Sequence, residues 1–225
     1  MIRATSLWLL WGGFILYAFL FAPPDQPDTF TLIQQLSTGQ WSGINPLVVA
    51  LFNLMGIWPM IYAAVLLSDG QGQTIRAWPF VGLSFGLGAF ALLPYLALRS
   101  PHRDFTGSKT RLLSLVESRW LGWAIALGTV VLLSYGILQG NWGDFVAQWK
   151  SSRFIHVMSL DFCLLSGLFG VVLGDDMARR GWGDRRWFWV ASLVPMLGAA
   201  FYLALRPPLQ PTTTTPTETA FPVKG

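Results

Sequence analysis

The sequence predicts an all-α, polytopic membrane protein with six transmembrane helices, arranged as two similar three-helix units. Three observations carry that expectation. The 225 residues are 53% hydrophobic and only 12% charged, with a mean hydropathy of +0.49, whereas a soluble domain has about 25% charged residues. Six apolar runs approach the roughly 20 residues that a spanning helix needs. Several residues also recur at a fixed distance in the two halves.

The runs are 6–22, 46–67, 77–98, 120–138, 154–173 and 187–205. Each is continuously apolar and about twice the length of a barrel strand, so helix is expected. The first follows Arg3 and resembles a signal peptide. It ends in Pro23-Pro24 and Asp25 without a small-x-small cleavage site, so an uncleaved span is expected.

The breaks have physical causes. Pro23, Pro24 and Pro27 stop the first helix. Residues 29–43 are polar enough for a loop with a short interfacial helix near 30–36. Asn45-Pro46 reads as an N-cap and first-turn proline. Asp69-Gly70-Gln71-Gly72 reads as a turn, 99–109 as a basic loop, and 175–186 as a solvated loop carrying both signs of charge. Pro59, Pro94 and Pro195 are expected to kink their helices. The expected divisions are a first unit 1–101, a basic connecting loop 102–117, a second unit 118–208, and a Pro/Thr tail 209–225 too polar to bury a core.

The net charge is +4. The basic residues sit between the apolar runs, the usual membrane pattern, so the partner expected is the lipid bilayer and not nucleic acid. Counting them puts the loops 99–119 and 175–186 inside and both termini outside, although Arg3 before the first run and Asp25 and Asp28 after it argue the reverse. Cys163 is the single cysteine, which leaves no internal disulfide and no cysteine metal cluster.

Tyr95-Leu96-Ala97-Leu98-Arg99 recurs 107 residues later as Tyr202-Leu203-Ala204-Leu205-Arg206, and the same shift carries Asp69 to Asp176. Ser6-x-Trp8-Leu9-x-Trp11 resembles Ser118-x-Trp120-Leu121-x-Trp123. Duplication of a three-helix unit explains their common order. Three crossings per unit would turn the second unit upside down, the inverted-repeat plan of many secondary transporters.

The second half also carries Gly140-Asn141-Trp142-Gly143-Asp144-Phe145, Arg153-Phe154, Ser159-Leu160-Asp161 and Asp175-Asp176-x-x-Arg179-Arg180-Gly181. This pattern resembles a family of small three-helix bacterial membrane proteins of unknown function. The whole chain, with Asn53-Leu54-Met55-Gly56-Ile57-Trp58-Pro59-Met60, resembles uncharacterised integral membrane proteins of cyanobacteria and plastids. The resemblance covers most of residues 5–208. It implies a photosynthetic organism and a thylakoid or bacterial inner membrane, and no assigned chemistry.

Three residues form a candidate intramembrane polar site. Asp161 lies about seven residues into the fifth run, and an ionisable residue at such depth is a functional candidate by default. Asn53 lies at similar depth in the second run and would supply a carbonyl ligand beside the Asp161 carboxylate. His156, near the membrane edge, could ligate a pigment or relay protons. Each has a plainer reading: packing hydrogen bonds for the first two and an ordinary interfacial imidazole for the third. His102 falls in a loop. No phosphate-binding, dinucleotide, zinc-protease or nucleophile-elbow motif occurs, so no catalytic residue and no metal is expected, while the sequence leaves the cofactor open. Two functions compete. One is a non-enzymatic accessory or assembly protein of a thylakoid photosynthetic membrane complex. The other is a small ion- or proton-coupled transporter using Asp161.

Overall fold

The fold is that of a computed structural model describing residues 2–101, 105 and 110–210. His102 and the Pro/Thr tail from 211 onward lie outside the described residues, as does most of 102–109.

Among the described residues the chain is helical without strands. Helix α1 (Ile2–Leu16) runs on into a π-helical turn, Tyr17–Phe21. Then come α2 (Thr29–Thr38), α3 (Pro46–Asp69), α4 (Trp78–Leu87), α5 (Ala89–Leu98) and α6 (Arg111–Val116). The rest are α7 (Arg119–Gln139), α8 (Trp142–Ser151), α9 (Arg153–Arg179), α10 (Arg185–Leu193) and α11 (Leu197–Leu205). Four helical stretches are long and apolar enough to cross a membrane: Ile2–Phe21, Pro46–Gly72, Arg119–Gln139 and Arg153–Arg179.

Six spans were expected, and the third and sixth runs depart from that. Each is broken in the middle into two half-length helices that fold back as a hairpin. In the first hairpin the break is Gly88, at φ +50° and ψ −128°, where only glycine sits without strain. Phe80 of α4 packs on Tyr95 of α5 with ring centroids 5.6 Å apart. Gln73, before α4, and Ser100, after α5, exchange hydrogen bonds of 2.6 and 2.8 Å. The chain therefore returns to the place it left. In the second hairpin the break is 194–196, where Met196 has φ +62°. Pro195 lacks an N–H and biases Val194 away from helix. Trp182, before α10, stacks on Tyr202 at 5.5 Å, and Gln210, after α11, donates its N–H to the Arg179 carbonyl at 3.3 Å. Ten residues of helix span about 15 Å, half of a bilayer core of roughly 30 Å. A run of twenty apolar residues satisfies the length rule whether it is one helix or two.

Helix directions follow from the contacts. Arg3 donates to the Arg99 carbonyl at 2.6 Å, and Phe14 stacks on Phe90 at 4.2 Å, so α1 is antiparallel to α5. Helices α3 and α9 run the same way. Asn45, the N-cap of α3, donates to Asp144 at 2.7 Å in α8, just ahead of α9. Tyr62 donates to the Leu165 carbonyl at 2.7 Å in mid-helix, and the two C-terminal ends meet where Asp69 faces Arg179. The expectation of oppositely facing units therefore fails: the corresponding helices α3 and α9 are parallel. Each half contains two long helices plus a returning hairpin, which brings it back to the end at which it began.

The α3–α9 seam is close-packed and aromatic. Trp58 meets Phe162 and Phe169 at 6.2 and 6.1 Å, and Tyr62 meets Phe169 at 5.9 Å. On the outer side of α3, α7 packs closely through glycine: a Cβ on Gly136 would lie 2.7 Å from that of Ala50, and one on Gly122 would lie 2.8 Å from the Ala204 backbone of α11. The segment expected to be a connecting loop, 102–117, contains α6, N-capped by Thr110.

Candidate functional site

The polar groups gather in two places, a buried ion network at the ends of α3 and α9 and a cavity beside the first third of α9.

The network begins with the acids that end the two parallel helices. Asp69 accepts from Tyr95 Oη at 2.8 Å, from Arg99 Nε and Nη2 at 2.8 and 2.5 Å, and from Arg179 Nη1 at 2.9 Å. Arg99 also reaches Asp175 at 2.6 Å. Asp176 accepts from Tyr202 Oη at 2.7 Å, from Arg180 Nε at 2.8 Å and from Arg206 Nη1 at 3.3 Å. Glu117 joins Arg180 and Arg206 at 2.6 and 2.8 Å. Tyrosine and arginine stand 26 and 30 residues after their aspartate in both sets. The LALR recurrence was the sequence signal for this arrangement, and its ends proved more informative than its apolar middle.

The stretch 175–186 was expected to be solvated. Asp176 is instead fully buried, and Arg179 and Arg180 nearly so, because the ends of both hairpins fold over it. Charges at such burial persist only when paired, and four acids here meet four arginines. Burial alone would lower the Arg180 guanidinium's pKa, but Asp176 and Glu117 outweigh it and hold the group above its ordinary value. Asp69 and Asp175 do the same for Arg99.

Asp161 is 6% exposed, and its role is visible. Its Oδ1 accepts the backbone N–H of Ala89 at 2.7 Å, the first residue of α5. A carboxylate at a helix N-terminus satisfies an orphan donor and meets the positive end of the helix dipole. A Cβ on Gly88 would fall 1.8 Å from Asp161 Oδ2, so glycine is required there for space as well as for φ.

The other two candidates lie apart from it. Asn53 donates to the Val49 carbonyl of its own helix at 2.8 Å, and no hydrogen bond joins it to Asp161 among the described residues. His156 is held at both nitrogens: Nε2 is 2.8 Å from Tyr17 Oη and Nδ1 is 2.9 Å from the Trp149 carbonyl. Its ring stacks between Trp149 and Tyr17. With both nitrogens engaged, the imidazole presents no lone pair to a pigment or haem. The expected three-residue site is thus three separate packing arrangements.

The cavity, of about 460 Å³, lies beside Asp161. It exists because the halves pack differently. Helix α7 lies against both α11 and α3, whereas α1 lies along α5 without comparable packing on α9, and the space between the π-helical turn and α9 is open. Its walls come from Phe52, Met55, Phe90, Phe154 and Met158, its inner end from Gly88 and Asp161, and its mouth from Asp25, Thr29 and Arg153. Arg153 Nη1 lies 3.3 Å from Asp25 at the surface, and its Nε donates to the Pro23 carbonyl at 3.0 Å. Among the described residues no cluster of His, Cys, Asp and Glu is arranged to hold a metal.

Comparison with protein-family models, with curated proteins and with solved structures gives no match to this chain.

Proposed function

We propose that the chain is a non-enzymatic integral membrane protein that serves as an accessory or assembly factor of a thylakoid photosynthetic complex. In this reading it is a tandem repeat of two units, each of two spans and one re-entrant hairpin, related by a pseudo-two-fold axis along the bilayer normal. Re-entrant backbone is tolerated in a membrane where it is buried in protein, as the α5 and α11 helices are. The thylakoid assignment rests on the sequence resemblance alone.

Orientation follows from charge. Arg3, Arg76, Arg99, Arg111, Arg119 and the arginines from 179 to 206 stand at the network end, while Lys150 and Arg153 stand at the other. Four crossings put Arg3 and both basic loops on one side, so the two conflicting sequence indications agree. The positive-inside tendency makes that side cytoplasmic or stromal.

The observation that carries the accessory reading is the internally neutralised network. Its buried charges are directed at one another and lock both hairpins onto the ends of α3 and α9, which suits a rigid platform. The carrier reading needs a polar passage between α3 and α9, and the aromatic seam there offers none. A tagged pull-down from native membranes under mild solubilisation, read by mass spectrometry and absorbance, tests the proposal. Recovery of photosynthetic subunits with the protein is expected. Migration as free protein, with normal complex assembly in a deletion strain, would refute it.

A further inference from the structure

Asp161 spends one oxygen on the Ala89 N–H. Its second oxygen has no hydrogen-bond partner among the described residues, and the residue, 6% exposed, lines the 460 Å³ cavity, so this oxygen is open to whatever fills the cavity. A carboxyl oxygen facing an otherwise apolar space favours an occupant that brings a polar group to it. The remaining wall is aromatic and aliphatic, with Phe52, Phe90 and Phe154 turned to the same space. Volumes of 300–1,000 Å³ with apolar walls and one or two placed polar groups are typical of small-molecule sites.

We propose that this cavity binds a flat, ring-headed amphiphile of the quinone or quinol class. The ring lies among the phenylalanines with one oxygen hydrogen-bonded to Asp161, and the hydrocarbon tail leaves between the π-helical turn and the tip of α4 into the lipid. Four features favour that occupant. Aromatic faces hold a flat ring in offset or edge-on contact. A carboxyl group serves either form of the head, accepting from a quinol hydroxyl when ionised and donating to a quinone carbonyl when protonated. The exit is greasy, since Phe19, Phe85 and Leu87 line the cavity and are 69%, 55% and 51% exposed. A phospholipid fits less well, because its head would sit at the mouth, where Arg153 is already engaged by Asp25 and Pro23, and its acyl chain would be left against the Asp161 carboxyl. The position 107 residues before Asp161 is Leu54, buried in the core, so the site belongs to one half only. It stands whether or not the accessory role does.

The test uses the full chain in lipid nanodiscs and a photoreactive azido-quinone with a ten-carbon tail, mapped by mass spectrometry. Labelling is expected within 84–90 and 153–161. Unlabelled decylubiquinone and its quinol should compete, and decanol should not. A Cβ on Gly56, which lines the cavity, meets nothing within 4 Å, so Gly56→Leu enters the cavity without a clash at its Cβ and should cut labelling at least tenfold. Met55→Trp, a second filling variant, should do the same. Asp161→Asn keeps an oxygen for Ala89 but turns only a donor to the ligand, and should weaken the quinol at least fivefold more than the quinone. Labelling spread over the outer face of α7 and unaffected by competitor would overturn the proposal. So would equal competition by decanol, or wild-type labelling in both filling variants when their thermal unfolding is also wild-type.

Discussion

Arg179, in the last turn of α9, places Nη1 2.9 Å from Oδ1 of Asp69 at the end of α3, with both side chains wholly buried. This contact joins the two halves of the chain across 110 residues. Around it, Tyr95 and Arg99 tie one hairpin to Asp69, while Tyr202 and Arg206 tie the other to Asp176. The network fixes where both hairpins end.

Asp69→Ala should therefore be severely destabilising. It leaves Arg99 with Asp175 and removes the shorter of Arg179's carboxylate contacts, the other being Asp176 at 3.6 Å, and breaking a buried ion pair from one side costs about 3–5 kcal/mol. Thermal unfolding in detergent should show a large fall in Tm. Lys150→Ala, at an exposed position, should leave Tm within about 0.5 kcal/mol equivalent of wild type.

Gly88→Ala should disrupt the first hairpin, because its Cβ would overlap Asp161 Oδ2 and its φ is positive. A cost of at least about 1–3 kcal/mol is expected for the backbone strain alone. Gly86→Ala, two residues away, meets nothing within 4 Å and should be close to neutral. Comparing the two melting curves separates a specific requirement at the break from general intolerance in α4.

Gly122→Leu should push α7 away from α11, where even a Cβ would come within 2.8 Å of the Ala204 backbone. Overpacking of this kind costs about 1–3 kcal/mol or more. Gly128→Ala, whose Cβ would make only an ordinary 3.8 Å contact with Ile57, serves as the control on the same helix. Equal melting temperatures for the two would mean that α7 does not pack as described.

Tyr17→Phe removes the hydroxyl from His156 Nε2, a loss worth about 0.5–1.5 kcal/mol. The stack on Trp149 and the Nδ1 contact remain, so the fold should persist. Haem or chlorophyll titrated onto the purified protein should give no His156-dependent absorbance change in either the wild type or a His156→Phe variant. A Soret shift lost in His156→Phe would show that the imidazole is a ligand after all.

Much of this architecture was legible in the residues. The apolar runs, the Asn45-Pro46 helix start, and the recurrence of Asp69 as Asp176 and of Arg99 as Arg206 could all be read directly. The number of crossings could not. Hydropathy measures how much apolar chain there is and not whether it turns at Gly88 or Pro195, and one unnoticed reversal per half leaves two helices there long enough to cross a membrane where three were expected. The charges at 175–186 misled for a related reason. Composition marks them all as polar, and Asp184, Arg185 and Arg186 are indeed exposed, yet the hairpin ends folded over Asp176, Arg179 and Arg180 bury those three. At the candidate site, depth pointed to Asp161 but not to its partner, since the Ala89 N–H becomes available only because the helix breaks there.

The central claim is the return of both hairpins, and cysteine accessibility in a Cys163→Ser background tests it most directly. Single cysteines replacing Gln71, Thr110, Arg185 and Gln210 should all react with a membrane-impermeant maleimide from one side of sealed vesicles, and cysteines replacing Gln34 and Gln148 only from the other. Six full crossings would instead place Gln71 and Thr110, and likewise Arg185 and Gln210, on opposite sides, and that result would contradict the account.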